Sequence, residues 1–104
     1  MRILAIDRIL PTATEEKIRG IVVKEAVHIW LLYSKEIIRE FYFRKDRPGV
    51  VIVLECADIN EAKRVLETFP LVRAGVIDFE IIPLGHFVPF GTLIDKSLLG
   101  GLGE

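Results

Sequence analysis

The sequence is almost without cysteine: Cys56 stands alone among 104 residues. No intramolecular disulfide can form, and a reducing, cytoplasmic location is expected. Long apolar runs are missing too, because short hydrophobic stretches are interrupted by charges, which excludes a membrane-spanning helix. The opening residues, Met1 to Asp7, bring in an acidic group early and lack a small-residue cleavage pattern, so no secretory leader is expected. Neither sign of charge dominates. Fourteen basic and fifteen acidic residues are interspersed for a net charge of −1, which gives no electrostatic footprint for nucleic acid or anionic membrane. Two histidines and one cysteine on separate elements make no metal-ligand spacing. No G-x-S-x-G elbow, phosphate loop or dinucleotide fingerprint occurs, so neither a metal nor an organic cofactor is expected.

What the chain has in excess is hydrophobicity. Apolar residues make up 51% of it, and its mean hydropathy is +0.40. One domain of this length has more apolar surface than its own core can hide, so burial between subunits is expected.

Ile3 to Leu10 is apolar and rich in β-branched residues, and Pro11 stops it, which predicts a first strand. Thr12 and Thr14 offer caps for a helix that runs to about Ser34, with Thr12 and Glu15 at capping-box spacing. Ile18, Val22, Ala26, Ile29 and Tyr33 recur along one stripe, the expected core face. Ile37 to Arg44 and Val50 to Glu55 predict a hairpin around the turn Lys45 to Gly49. Asp58 caps a second helix, with Glu61 at the capping-box position and Ala62, Val65, Leu66 and Phe69 on one face, ended by Pro70. Val76 to Leu84 alternates strictly, Ile77, Phe79 and Ile81 against Asp78 and Glu80. The order β-α-β-β-α-β is the split βαβ arrangement of ferredoxin-like α+β domains, with both helices on one face of a four-stranded antiparallel sheet. Residues 1–85 form this domain. Residues 86–104 form a C-terminal tail, expected to pack on its own chain or on a partner.

The stretch from Thr68 to Ile81, with its Pro70-Leu71 pair and apolar-Asp78-apolar-Glu80-apolar strand, resembles the C-terminal half of the muconolactone isomerase family. The Leu10-Pro11 step and the aromatic strand containing Arg39 match more loosely. The resemblance implies the dimeric α+β barrel superfamily, whose subunits pack sheet to sheet and enclose a pocket. It therefore implies a homodimer, with higher assembly expected because these isomerases are higher oligomers. It also implies a small-molecule isomerase that shifts a proton on a lactone or related carbonyl compound. Cofactor-free monooxygenases and members without established activity share the superfamily. In the isomerases strand one puts polar or basic side chains into the pocket, whereas the matching parity here is Ile3, Ala5 and Asp7. That apolar strand favours the alternative of a non-catalytic ligand-binding or assembly module.

Strand parity sends Phe41, Phe43, Ile77, Phe79 and Ile81 to the helices and leaves Glu40, Tyr42, Arg44, Asp78 and Glu80 on the opposite face. An isomerisation alpha to a carbonyl needs a base, an acid and a group to hold enolate charge. Glu40 or Glu80 is the candidate base, Tyr42 the donor, and Arg44 or Arg39 the anion clamp. Asp78 and His86, the latter at the mouth of the last strand, are further substrate-binding candidates. The bland alternative is that these are solvent-facing or interface ion pairs. His28 shares a polar helical stripe with Lys17, Lys24 and Lys35 and reads as a surface histidine. Glu25 falls inside the apolar stripe and is expected at its edge, reaching solvent. Cys56 reads as a small buried residue. Val23, Val27, Trp30 and Leu31 lie opposite the core stripe and form an expected interface patch. An RNA-recognition domain shares the element order but needs aromatics on the third strand, where this chain has Val50 to Leu54, so that function is excluded.

Overall fold

In the computed structural model, which describes residues 1–94 with side chains to Gly91, the expected order is present. Strands β1 (Arg2–Ile9), β2 (Ile38–Phe43), β3 (Val50–Glu55) and β4 (Ile77–Leu84) form one antiparallel sheet in the order β2-β3-β1-β4. Helices α1 (Glu15–Ser34), α2 (Ile59–Glu67) and α3 (Pro70–Arg73) accompany it. Thr14, rather than Thr12, caps α1, its Oγ1 accepting from Lys17 N at 3.2 Å. Thr12 instead donates to the Gly75 carbonyl at 2.7 Å, tying the β1–α1 loop to the start of β4. Asp58 accepts from Glu61 N at 2.7 Å and Glu61 reaches back to Ala57 N at 2.6 Å, which fixes the entry to α2. Pro70 does not simply stop the chain; it opens α3 as an N-terminal helix residue.

Ile3, Ala5, Ile52, Leu54 and Ile38 lie on the helix-covered face and are wholly or almost wholly buried, with Phe69 at 0% exposure closing the core. The α1 stripe differs from the expected one. Glu25 and Leu32 are its buried residues, and Ile18, Ile21, His28 and Ile29 are half-buried, while Val22, Ala26 and Tyr33 are exposed. The helix is rotated by about one residue because His28 and Glu25 find polar partners on the α2–α3 side. His28 Nε2 meets Thr68 Oγ1 at 2.7 Å and its ring packs edge-on against Phe69 at 5.2 Å. The Thr68 hydroxyl donates to Val65 O at 2.5 Å, so Nε2 carries the proton in that contact. His28 is thus an internal bracket and not a surface residue. Burial, then the cations Arg73 and Lys35, hold its pKa below the usual histidine value. Val23, Val27, Trp30 and Leu31 are exposed on the outer side of α1, as the wheel predicts.

After β4 comes a 3-10 segment (Val88–Ile94); its Phe90 meets Phe87, just before it, in edge contact at 4.9 Å, both more than half exposed. The remainder of the expected tail, residues 95–104, lies outside the described residues. No helix among the described residues is long and apolar enough to cross a membrane.

Candidate functional site

On its helix-covered face, the sheet is left partly open beneath α1 on the β2–β3 side. There Ala26, Ile29 and Trp30 overhang Phe41, Phe43, Val50 and Ile52, enclosing an apolar cleft of about 390 Å³ that Tyr42 also borders. That volume lies within the range of small-ligand sites. It exists because Phe41 and Phe43 face the helix layer but are not covered by it, Phe43 being 85% exposed.

Two carboxylates are buried in the fold, and neither lines the cleft. Glu25, the neighbour of Ala26, is 7% exposed, and its Oε1 accepts from Leu71 N at 3.3 Å. Burial pushes its pKa above the usual carboxylate value; the Leu71 hydrogen bond opposes this and the Asp7 charge adds to it. Glu25 therefore does not reach solvent at the edge of the stripe. A carboxylate here has its proton favoured by desolvation, and a hydrogen-bonded partner makes its burial tolerable. Asp7 is 4% exposed. Arg47 Nη1 donates to its Oδ1 at 3.3 Å and Nη2 donates to its carbonyl at 2.6 Å. The pair lies against Gly49, next to the cleft residue Val50, where a Cβ would collide with Arg47 Nη1 and Asp7 Oδ1.

The residues chosen from sequence are arranged differently. Tyr42 donates to Glu40 Oε1 at 3.0 Å, and this hydrogen bond holds the phenol pKa above its usual value. Glu40 pairs with Val53 and Tyr42 with Val51, so both lie on the open face of the sheet. Asp78 and Glu80 lie on that face of β4, at the other edge, three strand spacings or about 14 Å away. One protomer does not bring the two pairs together. Asp78 is engaged by Arg8 at 2.8 Å, and Arg44 by Asp46 in the hairpin turn, where the guanidinium holds the Asp46 carboxyl down to about 2. Arg39 sits at a bulge between Ile38 and Glu40 and borders a second, more polar hollow with Trp30, Tyr33 and Glu36. His86 is exposed beyond β4. Sequence reading missed the buried Asp7–Arg47 pair and the burial of Glu25, although a carboxylate inside an apolar helical stripe was the signal of the latter.

Comparison with solved structures gives two likenesses. Muconolactone isomerase superposes with a TM-score of 0.67 at 16% identity, covering 81% of this chain and 88% of that one. The 5-chloro-2-hydroxyhydroquinone dehydrochlorinase from Burkholderia phenoliruptrix AC1100, in complex with 2,5-dihydroxybenzoquinone, superposes with a TM-score of 0.61 at 18% identity, covering 83% and 95%. The chain has the muconolactone isomerase fold. Both neighbours are dimeric α+β barrel proteins, and the sheet order and helix placement here are of that type. No protein-family model and no curated protein matches the sequence. At these identities the muconolactone isomerase likeness establishes the fold, and the chemistry must be argued from the side chains.

Proposed function

We propose that the protein is a small-molecule isomerase of the muconolactone isomerase kind, shifting a proton on a lactone or related carbonyl compound. The observation that carries this reading is an apolar cleft of ligand size bordered by Tyr42, whose phenol is hydrogen-bonded to the Glu40 carboxylate. A flat, mainly apolar ring fits such walls. A carboxylate beside such a cleft suits proton transfer to and from carbon. One carboxylate can remove the γ proton of an α,β-unsaturated lactone and return a proton to the carbon alpha to the carbonyl, so the substrate's composition is unchanged and no group is consumed.

Glu40 and Tyr42 form the acid–base pair at the cleft border, with Tyr42 the hydrogen-bond donor to developing enolate charge. The open sheet face is half-buried and apolar along its middle, at Leu4, Ile6, Val51, Val53 and Ile82. That face fits the sheet of a second copy, which would enclose a separate space there and bring Glu80 and Asp78 toward the Glu40 edge. Arg39, Arg44 and His86 are proposed to hold the acidic or carbonyl end of the substrate. The nearly apolar cleft also favours a second reading, a ligand-binding module without turnover.

Proton exchange separates the two. Incubation of muconolactone and other unsaturated γ-lactones with the protein in D2O, followed by NMR, is expected to show deuterium entering alpha to the carbonyl. Glu40→Gln is expected to reduce it sharply. Saturable binding without exchange would replace the isomerase by the binding module.

A further inference from the structure

The outer side of α1 carries an apolar groove of about 550 Å³, lined by Val22, Val23, Ala26, Val27 and Trp30. It shares Ala26 and Trp30 with the cleft beneath the helix. Gly20, three residues before Val23, lies on the same helical face and is exposed. Glycine is unfavourable inside a helix, and a Cβ added here would meet nothing within 4 Å. Among the described residues, nothing in the chain itself requires the missing side chain. Its absence keeps the helix surface low for a close approach from outside.

The same chain supplies an exposed apolar segment. Phe87, Val88 and Phe90 are each more than 60% exposed, and the two rings hold each other edge-on. Among the described residues the 3-10 segment lies along no strand or helix, and the Cα trace extends 60 Å in one direction against 29 and 21 Å in the others. The segment leaves the sheet from β4, the edge opposite β2. Trp30 overhangs β2, which is about 14 Å away sideways across three strand spacings and about 10 Å up, one packed layer. From Leu84 to Phe90, three extended residues and three 3-10 residues reach about 16 Å at most. The segment therefore falls short of the groove of its own chain.

We propose that Phe87, Val88 and Phe90 of one copy seat in the α1 groove of a second copy, over Gly20 and against Val23, Val27 and Trp30. Two phenylalanines bury about 150–250 Å² each, short of the roughly 1,000 Å² that a contact standing alone needs. The arm thus acts beside a further contact, for which the open sheet faces proposed above serve, and each copy gives one arm and receives one. A seated arm also walls the cleft at Trp30, so a second copy completes it. The arm contact does not depend on the reaction proposed for that cleft.

Trp30 is the only tryptophan, so its emission reports on the groove. In light scattering and fluorescence of the full chain over a range of concentrations, wild type is expected to form species larger than a dimer while Trp30 emission moves to shorter wavelength. Phe87→Ser with Phe90→Ser removes the arm, and Val27→Lys blocks the groove; all three positions are exposed, so folding is spared. Each variant is expected to weaken the association at least tenfold and to keep the emission of tryptophan in water. Mixing the two is expected to restore both signals, because one brings the groove and the other the arm. Gly20→Leu, which favours the helix, is expected to weaken association at least tenfold without lowering Tm. A wild type that never exceeds a dimer, larger species that persist in the arm variant or in Gly20→Leu, or a mixture that does not recover overturns the proposal. So does Trp30 emission already shifted at the lowest concentration and reversed by the arm variant, which marks an arm folded onto its own chain. Dimers left by the arm variant keep the sheet contact, whereas monomers remove that contact and leave the arm standing. Deuterium exchange is read separately, so failure of the arm and failure of the isomerase reading are told apart.

Discussion

Replacing Gly49 with alanine tests the Asp7–Arg47 contact through stability alone, and Gly75 supplies the comparison. Gly75 has φ +71 with nothing within 4 Å of an added Cβ, so Gly75→Ala bears only the left-handed backbone penalty, about 1–2 kcal/mol. Gly49 has φ +150 and meets Arg47 Nη1 and Asp7 Oδ1, with Asp7 Cγ at 3.2 Å. Its alanine bears a backbone penalty of similar size, about 1–3 kcal/mol, and also forces the ion pair apart. Breaking a fully buried pair costs about 3–5 kcal/mol. The Arg47 side chain is 36% exposed, however, so solvent screening reduces that share to about 1–2 kcal/mol. Gly49→Ala is thus expected to cost at least about 1 kcal/mol more than Gly75→Ala, a further drop in Tm of about 4–8 °C for a domain of this size. Urea unfolding of both variants, with thermal melts in parallel, measures the difference. Equal costs, or a smaller cost at Gly49, would refute the claim that Asp7 and Arg47 are held in contact over that backbone.

Glu25→Gln should change stability in a pH-dependent way. Folding raises the Glu25 pKa, so its favourable contribution is present below the unfolded value and is lost as pH rises through the folded one. The glutamine variant should therefore gain on wild type from acid toward neutral pH, by about 1 kcal/mol; a difference constant with pH in denaturant titrations would contradict the burial argument. Tyr42→Phe and Glu40→Gln should fold normally, since both side chains are exposed, and lower turnover by about 10²–10⁴-fold if they act as acid and base; unchanged kcat would remove both from the chemistry. Val53→Lys, in the middle of the open sheet face, should yield monomers in light scattering, whereas Trp30→Lys on outer α1 should leave dimers and remove larger species. A wild-type protein monomeric at every concentration would defeat both expectations.

The architecture was legible because its signals are local. Period-two alternation fixed the faces of β4, and Asp58 with Glu61 marked the start of α2 within the sequence itself. The rotation of α1 was not legible, since the helix is hydrophobic on several sides and Val22 and Ile21 are equally good core residues by pattern. Its orientation is decided by distant partners, Thr68 and Leu71, that no helical wheel contains. The same rotation hid the burial of Glu25. Glu25 looked misplaced only because its donor, an α3 amide, lies 46 residues away. Glu40 and Tyr42 could be assigned to one face because they are two apart on one strand, while the distance to Glu80 needed a strand order that parity alone does not give.

The bulge at Arg39 bears on how this protein stays out of trouble in a crowded solution. β2 is an edge strand with three consecutive exposed aromatics, Phe41, Tyr42 and Phe43, and an open row of backbone donors and acceptors. Such an edge is a template on which a stray extended chain could add itself. The extra residue at Arg39 breaks the repeat at the start of the strand and places charge there, leaving only a short regular stretch from Glu40 to Phe43. At the opposite edge, Pro83 removes a donor from β4. Both borders of the sheet thus resist fibrous growth, so contacts between copies are steered to the faces of the fold, where association can close on itself and stop.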